Sequence, residues 1–516
     1  MDRMKYNLRR KHLFIKNTAI LTVTSLLLRA AGMYFSIYIT GIIGAEGIGL
    51  YHMIFSIYLL MSGFASSGIV VAVTRMTADE MALGSRKSTA SVLQKCLAVS
   101  IAMGLISAAA TAGFAEVIGL HWISDQRSVS AVKAMALAFP FMSISCCLRG
   151  YFTARRRVGI SSFGQMTEQA VRIVVCLVLL IHMAPMGVAY SCLAIMIADA
   201  VSEGAGCLFL AVGYLFDRKK CPNENPLRIS PPYREYRQIW DIAGPITASH
   251  YLTTLLRTIE SILVPDCLTR FVLSRSRALE LFGLLRGMAM PLIFFPSTFL
   301  TALTALLVPE LSEAQATGNV LRTREVVRRS MKITFALSMP AAGVFLLMSD
   351  QLGMLVYNRA DVGPLLRALA PMMPLMYAES VVAGILRGLG EQKKALQYNI
   401  IDSVARILLI VAMVPFFGMT GFLLMMVFSN LLTSLLKIHR LLKVTEVKFC
   451  WSSWLFRPTA SICIACLAGF LLSRASFFCG LSSLWQMVIG SVSVMLLYCA
   501  ALIFGEDERD PRKLFV

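Results

Sequence analysis

Two pairs of opposite charges lie inside long apolar stretches of the sequence. Glu168 and Arg172 are four residues apart in EQAVRIVVCLVLL, and Asp402 and Arg406 have the same spacing in IIDSVARILLIV. On an α-helix this spacing places both side chains on one face, with the acid before the base, which is the more favourable order. A neutralised pair lowers the cost of placing charge in hydrocarbon. The sequence leaves two interpretations open, architectural ion pairs or groups that gate or couple a movement.

Three arginines also lie within apolar helices, at Arg29, Arg257 and Arg286. The planar guanidinium group can bind two phosphate oxygens at once. We therefore expect these residues to form a basic patch in a central cavity that suits an anion such as a diphosphate. The alternative is that they pair with nearby acids or extend to the membrane surface. Glu260 follows Arg257 by three residues, so it is a candidate partner on the same helix face and a further coupling candidate.

Other acids occur within or beside the apolar stretches, and each could bind a coupling cation or a proton. They are Glu46, Asp199, Glu203 and Glu379. Neither a phosphate-binding GxxxxGK[ST] motif nor an HExxH zinc motif occurs, and the six histidines do not cluster. Most of the 13 cysteines lie in apolar runs, where they act as small packing residues. The sequence predicts no enzyme, no cofactor and no metal site.

The elements that hold these residues are predicted to be transmembrane helices. Of 516 residues, 57% are hydrophobic and only 15% are charged, whereas a soluble protein has about 25% charged residues. Apolar runs long enough to cross roughly 30 Å of hydrocarbon recur along the whole chain. The predicted fold is all-α and membrane-embedded, with about 14 helices. The spans are 13–40, 48–73, 93–119, 131–152, 162–183, 188–213, 240–264, 280–307, 332–349, 365–386, 396–416, 419–438, 455–473 and 484–504.

The basic residues predict how the chain crosses the membrane. The formal net charge is +20, and 35 of the 49 lysines and arginines fall in the N-terminus, every second loop and the C-terminus or at the ends of the spans beside them. Since lysine and arginine accumulate on the cytoplasmic side, both termini are predicted to be cytoplasmic. The positive charge thus indicates topology and attraction to anionic lipids, and it excludes nucleic acid as a partner. The basic N-terminus with its apolar run is predicted to be a retained first helix and no cleaved signal peptide.

A repeat with an offset of 234 residues divides the chain into two halves. Charged, glycine and proline positions coincide at this offset, in pairs that are harder to obtain by chance than apolar matches. The pairs are Asp79–Glu313, Gly84–Gly318, Lys95–Arg329, Pro140–Pro374, Gly150–Gly384, Glu168–Asp402, Arg172–Arg406 and Gly187–Gly421. Six helices per half return the chain to its starting side, so the halves have the same orientation, as in transporters that work by alternating access.

This repeat predicts four regions. They are an N-terminal lobe at 1–216, a cytoplasmic linker at 217–239, a C-terminal lobe at 240–440, and an appended pair of helices with a cytoplasmic tail at 441–516. The segment GAEGIG at 44–49 is predicted to be a turn between the first two helices.

Three stretches resemble a known family. ITGIIGAEGIGLYHMIFSIYLL (39–60), LRGYFTARRRVGISSFGQMTEQAVRI (148–173) and FPSTFLTALTALLVPELSEAQATGN (295–319) are similar to the polysaccharide-exporter branch of the multidrug/oligosaccharidyl-lipid/polysaccharide flippase superfamily. Within it the chain most resembles the stage V sporulation protein B group, over residues 13–440. The resemblance implies a two-lobed, V-shaped transporter of 14 helices in a bacterial plasma membrane, linked to sporulation or envelope synthesis.

The resemblance also implies a substrate and a role for two arginines. It implies a lipid-linked sugar that is moved from the inner to the outer leaflet. Peptidoglycan-precursor flippases of this superfamily use cavity arginines on the first helix and on the second lobe, and Arg29 and Arg257 match them in type and helix. Proton-coupled drug exporters carry an acid in their first helix, which residues 13–40 lack.

The leading hypothesis is a flippase for an undecaprenyl-diphosphate-linked saccharide, either a polysaccharide or a peptidoglycan precursor. Its partners are then the lipid-linked saccharide, membrane lipids and a coupling ion, Na⁺ or H⁺. Two alternatives stay open. One is a cation-coupled multidrug exporter, which requires an acidic cavity, and the other is a non-transporting scaffold that recruits envelope-building enzymes.

Overall fold

A computed structural model describes residues 2–82, 86–219, 232–473 and 483–504. These residues are almost entirely helical, and within them no β-strand occurs. This follows from the composition, because in hydrocarbon a helix satisfies every backbone hydrogen bond within its own segment. The predicted linker lies partly, at 220–231, outside the described residues, as does the tail after residue 504.

The chain forms two compact units, Met1–Pro265 and Asp266–Val516. The division between them falls inside one helix, α8. The first unit contains the helices α1 (Asp2–Ala82), α2 (Arg86–Gly113), α3 (Ala115–Val117), α4 (Val129–Met135), α5 (Ala138–Ala154), α6 (Val158–Met183), α7 (Val188–Lys219) and most of α8 (Pro232–Val272). A π-helical turn at Ile118–Trp122 and 3₁₀ turns at Gln126–Ser128 and Ala184–Met186 connect some of them.

The second unit begins with the end of α8. It contains α9 (Arg275–Gly283), α10 (Met290–Phe294), α11 (Thr298–Ala316), α12 (Val320–Leu347), α13 (Ser349–Tyr357), α14 (Val362–Leu369), α15 (Met373–Gly388), α16 (Gln392–Thr445), α17 (Arg457–Ser473) and α18 (Ser483–Phe504). Its shorter connecting turns are π-helical at Leu284–Ala289 and Ser452–Phe456 and 3₁₀ at Ala370–Met372. The boundaries predicted for the four regions stay predictions.

Single glycines with positive φ divide the longest helices. Gly44 in α1 has φ 71°, and Gly418 in α16 has φ 56°. Glycine adopts this conformation without the steric cost that a Cβ atom imposes. The turn predicted for GAEGIG is therefore too long, because only Gly44 leaves the helical conformation and Ala45 already continues the helix.

Ten helical segments of the described residues are long and apolar enough to cross a membrane. Two of them, Val23–Met81 and Gln392–Thr445, contain the glycine breaks. The second has 54 residues and so a contour of about 80 Å, more than twice the thickness of the hydrocarbon core. The all-α, multi-pass membrane fold is confirmed, and the total of 14 spans stays a prediction.

The helix contacts confirm the pseudo-symmetry but correct the ungapped offset. Thr74 donates a hydrogen bond to the Gly150 carbonyl (3.1 Å), and Ser312 donates one to the Gly388 carbonyl (3.0 Å). Both pairs are 76 residues apart, so Gly150 corresponds to Gly388, at an offset of 238. The predicted equivalence with Gly384 is wrong because α5 extends four residues beyond its glycine, to Ala154, whereas α15 ends at its own.

The helix break after α6 shifts the repeat in the other direction. Gly187 has φ 112°, and the corresponding break in the second unit is at Gly418, an offset of 231. The predicted partner, Gly421, lies inside a helix. The first unit contains an extra 3₁₀ turn at Ala184–Met186, which supplies the three additional residues.

We expect Gly150→Ala to destabilise the protein. A Cβ atom at this position lies 2.9 Å from the Val70 carbonyl oxygen, which is closer than real Cβ atoms come. Overpacking of this kind costs about 1–3 kcal/mol and outweighs the roughly 1 kcal/mol by which alanine favours a helix. Gly159→Ala is the matched control because nothing lies within 4 Å of its Cβ position. Thermal unfolding in detergent should show a lower midpoint for Gly150→Ala alone, and equal midpoints would contradict the close packing.

Candidate functional site

The predicted ion pair on α6 is present, and Arg172 has further acidic neighbours. Its Nη2 atom lies 3.1 Å from Glu168 Oε1 and 4.0 Å from Glu203 Oε1. Its Nε atom lies 2.7 Å from Asp199 Oδ1 on α7. Asp199 and Glu203, spaced by four residues, thus face Arg172 together. One guanidinium group therefore connects two helices through three carboxylates.

A second arginine completes this group of charges. Arg149 Nη2 on α5 lies 2.5 Å from Glu168 Oε2. We call the five residues Arg149, Glu168, Arg172, Asp199 and Glu203 the N-terminal charge cluster. It contains three carboxylates and two guanidinium groups. Its members are mostly buried, with 6% of the Asp199 side chain and 7% of the Glu203 side chain exposed.

Two carboxylate oxygens of the cluster lack a hydrogen-bond partner among the described residues. They are Asp199 Oδ2 and Glu203 Oε2. The other oxygen of Glu203 lies 3.4 Å from the Tyr58 hydroxyl, which is itself 3.6 Å from the Met142 sulfur atom. A buried polar atom without a partner costs about 1–3 kcal/mol and more when it is charged. This part of the cluster is therefore the least satisfied.

The second unit contains a smaller and balanced arrangement. Arg406 Nη2 lies 2.9 Å from Asp402 Oδ2, as the spacing predicts, and Ser429 donates a 2.5 Å hydrogen bond to Asp402 Oδ1. In the same unit, Lys437 Nζ lies 2.7 Å from Glu379 Oε1. Each acid has one basic partner, so the four charges sum to zero.

The three predicted cavity arginines are divided between the two units. Arg29 on α1 and Arg257 on α8 both belong to the first unit, both are exposed, and neither forms an ion pair with another described residue. Glu260 is buried, with 3% exposed, and since Arg257 forms no ion pair with a described residue, the predicted pairing of the two is not observed. Arg286 belongs to the second unit and is half-buried within the π-helical turn Leu284–Ala289. Such turns occur frequently at functional sites.

Sequence reasoning missed the basic partners Arg149 and Lys437. Arg149 belongs to the tripeptide LRG, which recurs at residues 386–388, and this repeat of a charged motif was a usable signal. Lys437 lies at the end of the predicted span 419–438. The acid Glu379 inside another predicted span was the signal for it, because intramembrane acids usually pair with a base.

Each unit contains a further group of three charged residues. In the first unit it lies between α1 and the start of α4, and in the second unit it lies between α9 and the start of α14. In the first unit, Arg127 Nη1 lies 2.8 Å from Glu46 Oε1, and its Nη2 lies 2.8 Å from Asp125 Oδ2. In the second unit, Arg359 Nη2 lies 2.7 Å from Glu280 Oε1 and 3.1 Å from Asp361 Oδ2. We call these two groups the acid–arginine–acid triads.

The triads correspond position by position at the offset of 234. Glu46 corresponds to Glu280, Asp125 to Arg359 and Arg127 to Asp361. The arginine and its acid have therefore exchanged places while both contacts are kept. This equivalence follows from the contacts and was not among the pairs that the sequence comparison used.

The exchange can be tested by substitution. We expect Arg127→Asp alone to destabilise the first unit by about 1–2 kcal/mol, between the values for exposed and buried pairs, because three acids then lie together. Adding Asp125→Arg should restore most of this loss, since an arginine at the equivalent position of the second unit, Arg359, reaches Glu280. Thermal midpoints in detergent give the comparison. A double variant no more stable than Arg127→Asp would contradict the equivalence of the triads.

The described residues contain no group of three or more histidine, cysteine or acidic side chains arranged to hold a metal ion. In the N-terminal charge cluster, the guanidinium groups occupy the positions next to the carboxylates. The acids of the cluster thus have positive side chains as their neighbours.

Comparison with known proteins identifies the family. The sequence model of the family described as polysaccharide biosynthesis protein matches residues 14–315, more than half of the chain. The chain belongs to this polysaccharide biosynthesis family. A second family model, MatE, matches residues 276–412.

Two relatives from Bacillus subtilis (strain 168) are similar to this chain over most of their own length. Stage V sporulation protein B is 24% identical over 440 residues, which cover 85% of each chain. Lipid II flippase MurJ is 21% identical over 433 residues, or 79% of this chain and 78% of the flippase. The predicted relationship to the flippase superfamily is confirmed. One of these relatives is named as a flippase, which agrees with the prediction that the chain is no enzyme.

Solved structures agree with the fold of the polysaccharide biosynthesis family member. Lipid II flippase MurJ in its inward closed conformation superposes with a TM-score of 0.67 at 12% identity, covering 94% of this chain and 98% of that one. An inward-facing multidrug resistance MATE family transporter gives a TM-score of 0.65 at 13% identity and covers 82% and 98%. Both carry the fold with two pseudo-symmetric lobes.

Proposed function

We propose that the protein moves an undecaprenyl-diphosphate-linked saccharide from the inner to the outer leaflet of a bacterial plasma membrane by alternating access. The observation that carries this proposal is the relationship, over most of the chain, to a protein named as a lipid II flippase. Membership of the polysaccharide biosynthesis family supports a saccharide as the cargo. Both termini are proposed to be cytoplasmic, as the distribution of lysine and arginine predicts.

The exposed arginines of the first unit supply a site for the diphosphate. Thr258, beside Arg257, donates a 3.0 Å hydrogen bond to the Ser56 carbonyl, which fixes this part of α8 along the second arm of α1. Arg29 and Ser56 lie 15 and 12 residues from the bend at Gly44, or ~22 Å and ~18 Å at the helical rise. Both guanidinium groups therefore lie at membrane depth, where a charge without a partner costs at least ~2.5 kcal/mol.

Such a cost is offset when an anionic ligand binds. A diphosphate presents several oxygens, and each arginine can donate two parallel hydrogen bonds to it. The saccharide extends from the diphosphate into water, and the polyprenyl chain stays in hydrocarbon. In this proposal Arg29 and Arg257 hold the headgroup, and Arg286 is a further candidate for contact with it.

A transport assay tests this function. Full-length protein is reconstituted into liposomes that carry fluorescent lipid II in both leaflets, and an impermeant reductant is added outside. We expect the protected fraction to fall from about half to near zero, because the lipid crosses between leaflets. Liposomes with the Arg29→Ala/Arg257→Ala double variant are the control and should keep their protected fraction. Equal protection with and without wild-type protein would reject the proposal for this lipid.

The match to MatE and the MATE-like fold favour a second candidate, a cation-coupled exporter of organic cations. The same liposomes loaded with ethidium separate the two functions. Ethidium efflux with unchanged lipid II protection would support the exporter and reject the flippase. If neither cargo moves, the non-transporting scaffold becomes the better description.

A further inference from the structure

The two units differ in the charge balance of their buried ion pairs. In the second unit, Asp402 and Glu379 are matched by Arg406 and Lys437. In the first unit, the N-terminal charge cluster has three carboxylates and two guanidinium groups. With every group ionised, the cluster carries one uncompensated negative charge in a buried site. Such a charge is costly to bury, and proteins usually avoid that cost by protonation.

The contacts identify the acid with the least compensation. Glu168 lies within 3.1 Å of both guanidinium groups, and Asp199 lies 2.7 Å from Arg172. Glu203 is 4.0 Å from Arg172, its Oε1 is 3.4 Å from a neutral phenol, and its Oε2 has no partner among the described residues. Its side chain is 7% exposed, so water can reach it but replaces few of the missing contacts.

The helices that pack around Glu203 bring two bases close to it. The titratable or charged groups that face it are Tyr58 on α1, Cys146 and Arg149 on α5, Glu168 and Arg172 on α6, and Asp199 and Cys207 on α7. The two arginines of this set already pair with Glu168 and Asp199. No third cation therefore serves Glu203 within the described part of the chain.

We propose that Glu203 is a proton-exchange site, and that its proton is the coupling ion of the transport cycle. The role of this proton as the coupling ion rests on the proposed function, whereas the proton-exchange site does not. In the protonated state the cluster is neutral. When the O–H bond breaks, the proton passes to water, the bonding electrons stay on the carboxylate, and the cluster gains one negative charge.

Release of the proton changes the contact between α6 and α7. The Glu203 carboxylate then competes with Asp199, one helical turn away, for the guanidinium group of Arg172. A shift of Arg172 towards Glu203 would weaken its contact with Asp199. The protonation state thus selects between two arrangements of the same two helices, which is what a coupling ion must do.

Infrared difference spectroscopy tests the proton site without any saccharide. Full-length protein in lipid nanodiscs is titrated with acid and base, and the C=O stretch of protonated carboxylic acids is recorded. We expect a titrating band that is lost in Glu203→Gln and kept in Glu379→Gln, whose acid has its own lysine. Asp199→Asn is the third variant. A band that disappears with Asp199→Asn and persists in Glu203→Gln, or no band in wild type, would overturn the assignment.

The coupling is tested separately in the lipid II liposomes. An imposed pH gradient should stimulate wild-type transport several-fold and should leave the Glu203→Gln variant unaffected, while Glu379→Gln responds like wild type. An equal response of wild type and Glu203→Gln would overturn the coupling. If wild type moves no lipid II, the proposed function fails, and the infrared result still decides whether Glu203 exchanges a proton.

Discussion

If the proposed function is right, wild-type protein should retain a polyprenyl-diphosphate lipid on purification, and Arg29→Ala and Arg257→Ala variants should each lose most of it. Each guanidinium group is exposed and forms no ion pair with another described residue. Each is therefore available to bind the diphosphate. A hydrogen bond to a charged group contributes about 1.5–3 kcal/mol, so we expect each substitution to weaken binding by about 10- to 150-fold. Native mass spectra of gently purified protein measure the bound lipid directly.

Arg387→Ala is the matched control for these variants. Arg387 is also an exposed arginine, but it lies in the last turn of α15. There its charge can be hydrated by water and needs no bound anion. It should leave the bound lipid unchanged. Lysine at position 29 or 257 should recover only part of the affinity, because it keeps the charge and loses the two parallel hydrogen bonds. Equal amounts of bulk phospholipid in all samples, with no polyprenyl diphosphate, would count against the arginine site.

The second large effect should come from Arg172→Met, which we expect to destabilise the protein by about 3–5 kcal/mol. Removing one member of a buried ion pair leaves its partners without compensation. Here the loss affects Glu168, Asp199 and Glu203 together, and only Glu168 keeps a basic partner, Arg149. Methionine preserves much of the side-chain volume, so the loss reports on charge. Denaturation followed by tryptophan fluorescence or by loss of monodisperse protein on heating measures it.

Arg406→Met provides the comparison in the second unit. Asp402 loses its arginine there but keeps the hydrogen bond from Ser429, so the expected loss is smaller, about 1–3 kcal/mol. Adding Asp199→Asn and Glu203→Gln to Arg172→Met should recover much of the stability, because the uncompensated carboxylates become neutral amides. If the single and triple variants unfold alike, the contribution of Arg172 would be packing and not charge.

Much of this fold follows from local chemistry that a single sequence displays. Long apolar runs predict helices because the bilayer leaves the backbone no other way to satisfy its hydrogen bonds. The pairs at Glu168–Arg172 and Asp402–Arg406 could also be predicted, since both partners lie on one helix and their spacing fixes their distance. Each pair is observed as expected.

Contacts between helices were less accessible to sequence reasoning. Arg172 contacts Asp199, and Arg149 contacts Glu168. Both contacts depend on how α5, α6 and α7 are rotated and shifted relative to one another. No residue spacing within a helix encodes this. The changes of offset near Gly150 and Gly187 have the same origin, because a turn can gain three or four residues without altering the packed helices on either side. A comparison without gaps cannot detect such insertions.

The exchanged acid–arginine–acid triads have a consequence for how such proteins diverge. An ion pair is symmetric in the sense that either side can carry either charge, provided that the geometry allows both. Two substitutions can therefore reverse the pair Asp125–Arg127 into the order found at Arg359–Asp361 while Glu46 or Glu280 keeps its arginine. Among homologues, these positions should covary as opposite charges, so that an alignment scored by residue identity would treat a preserved bond as two unrelated changes.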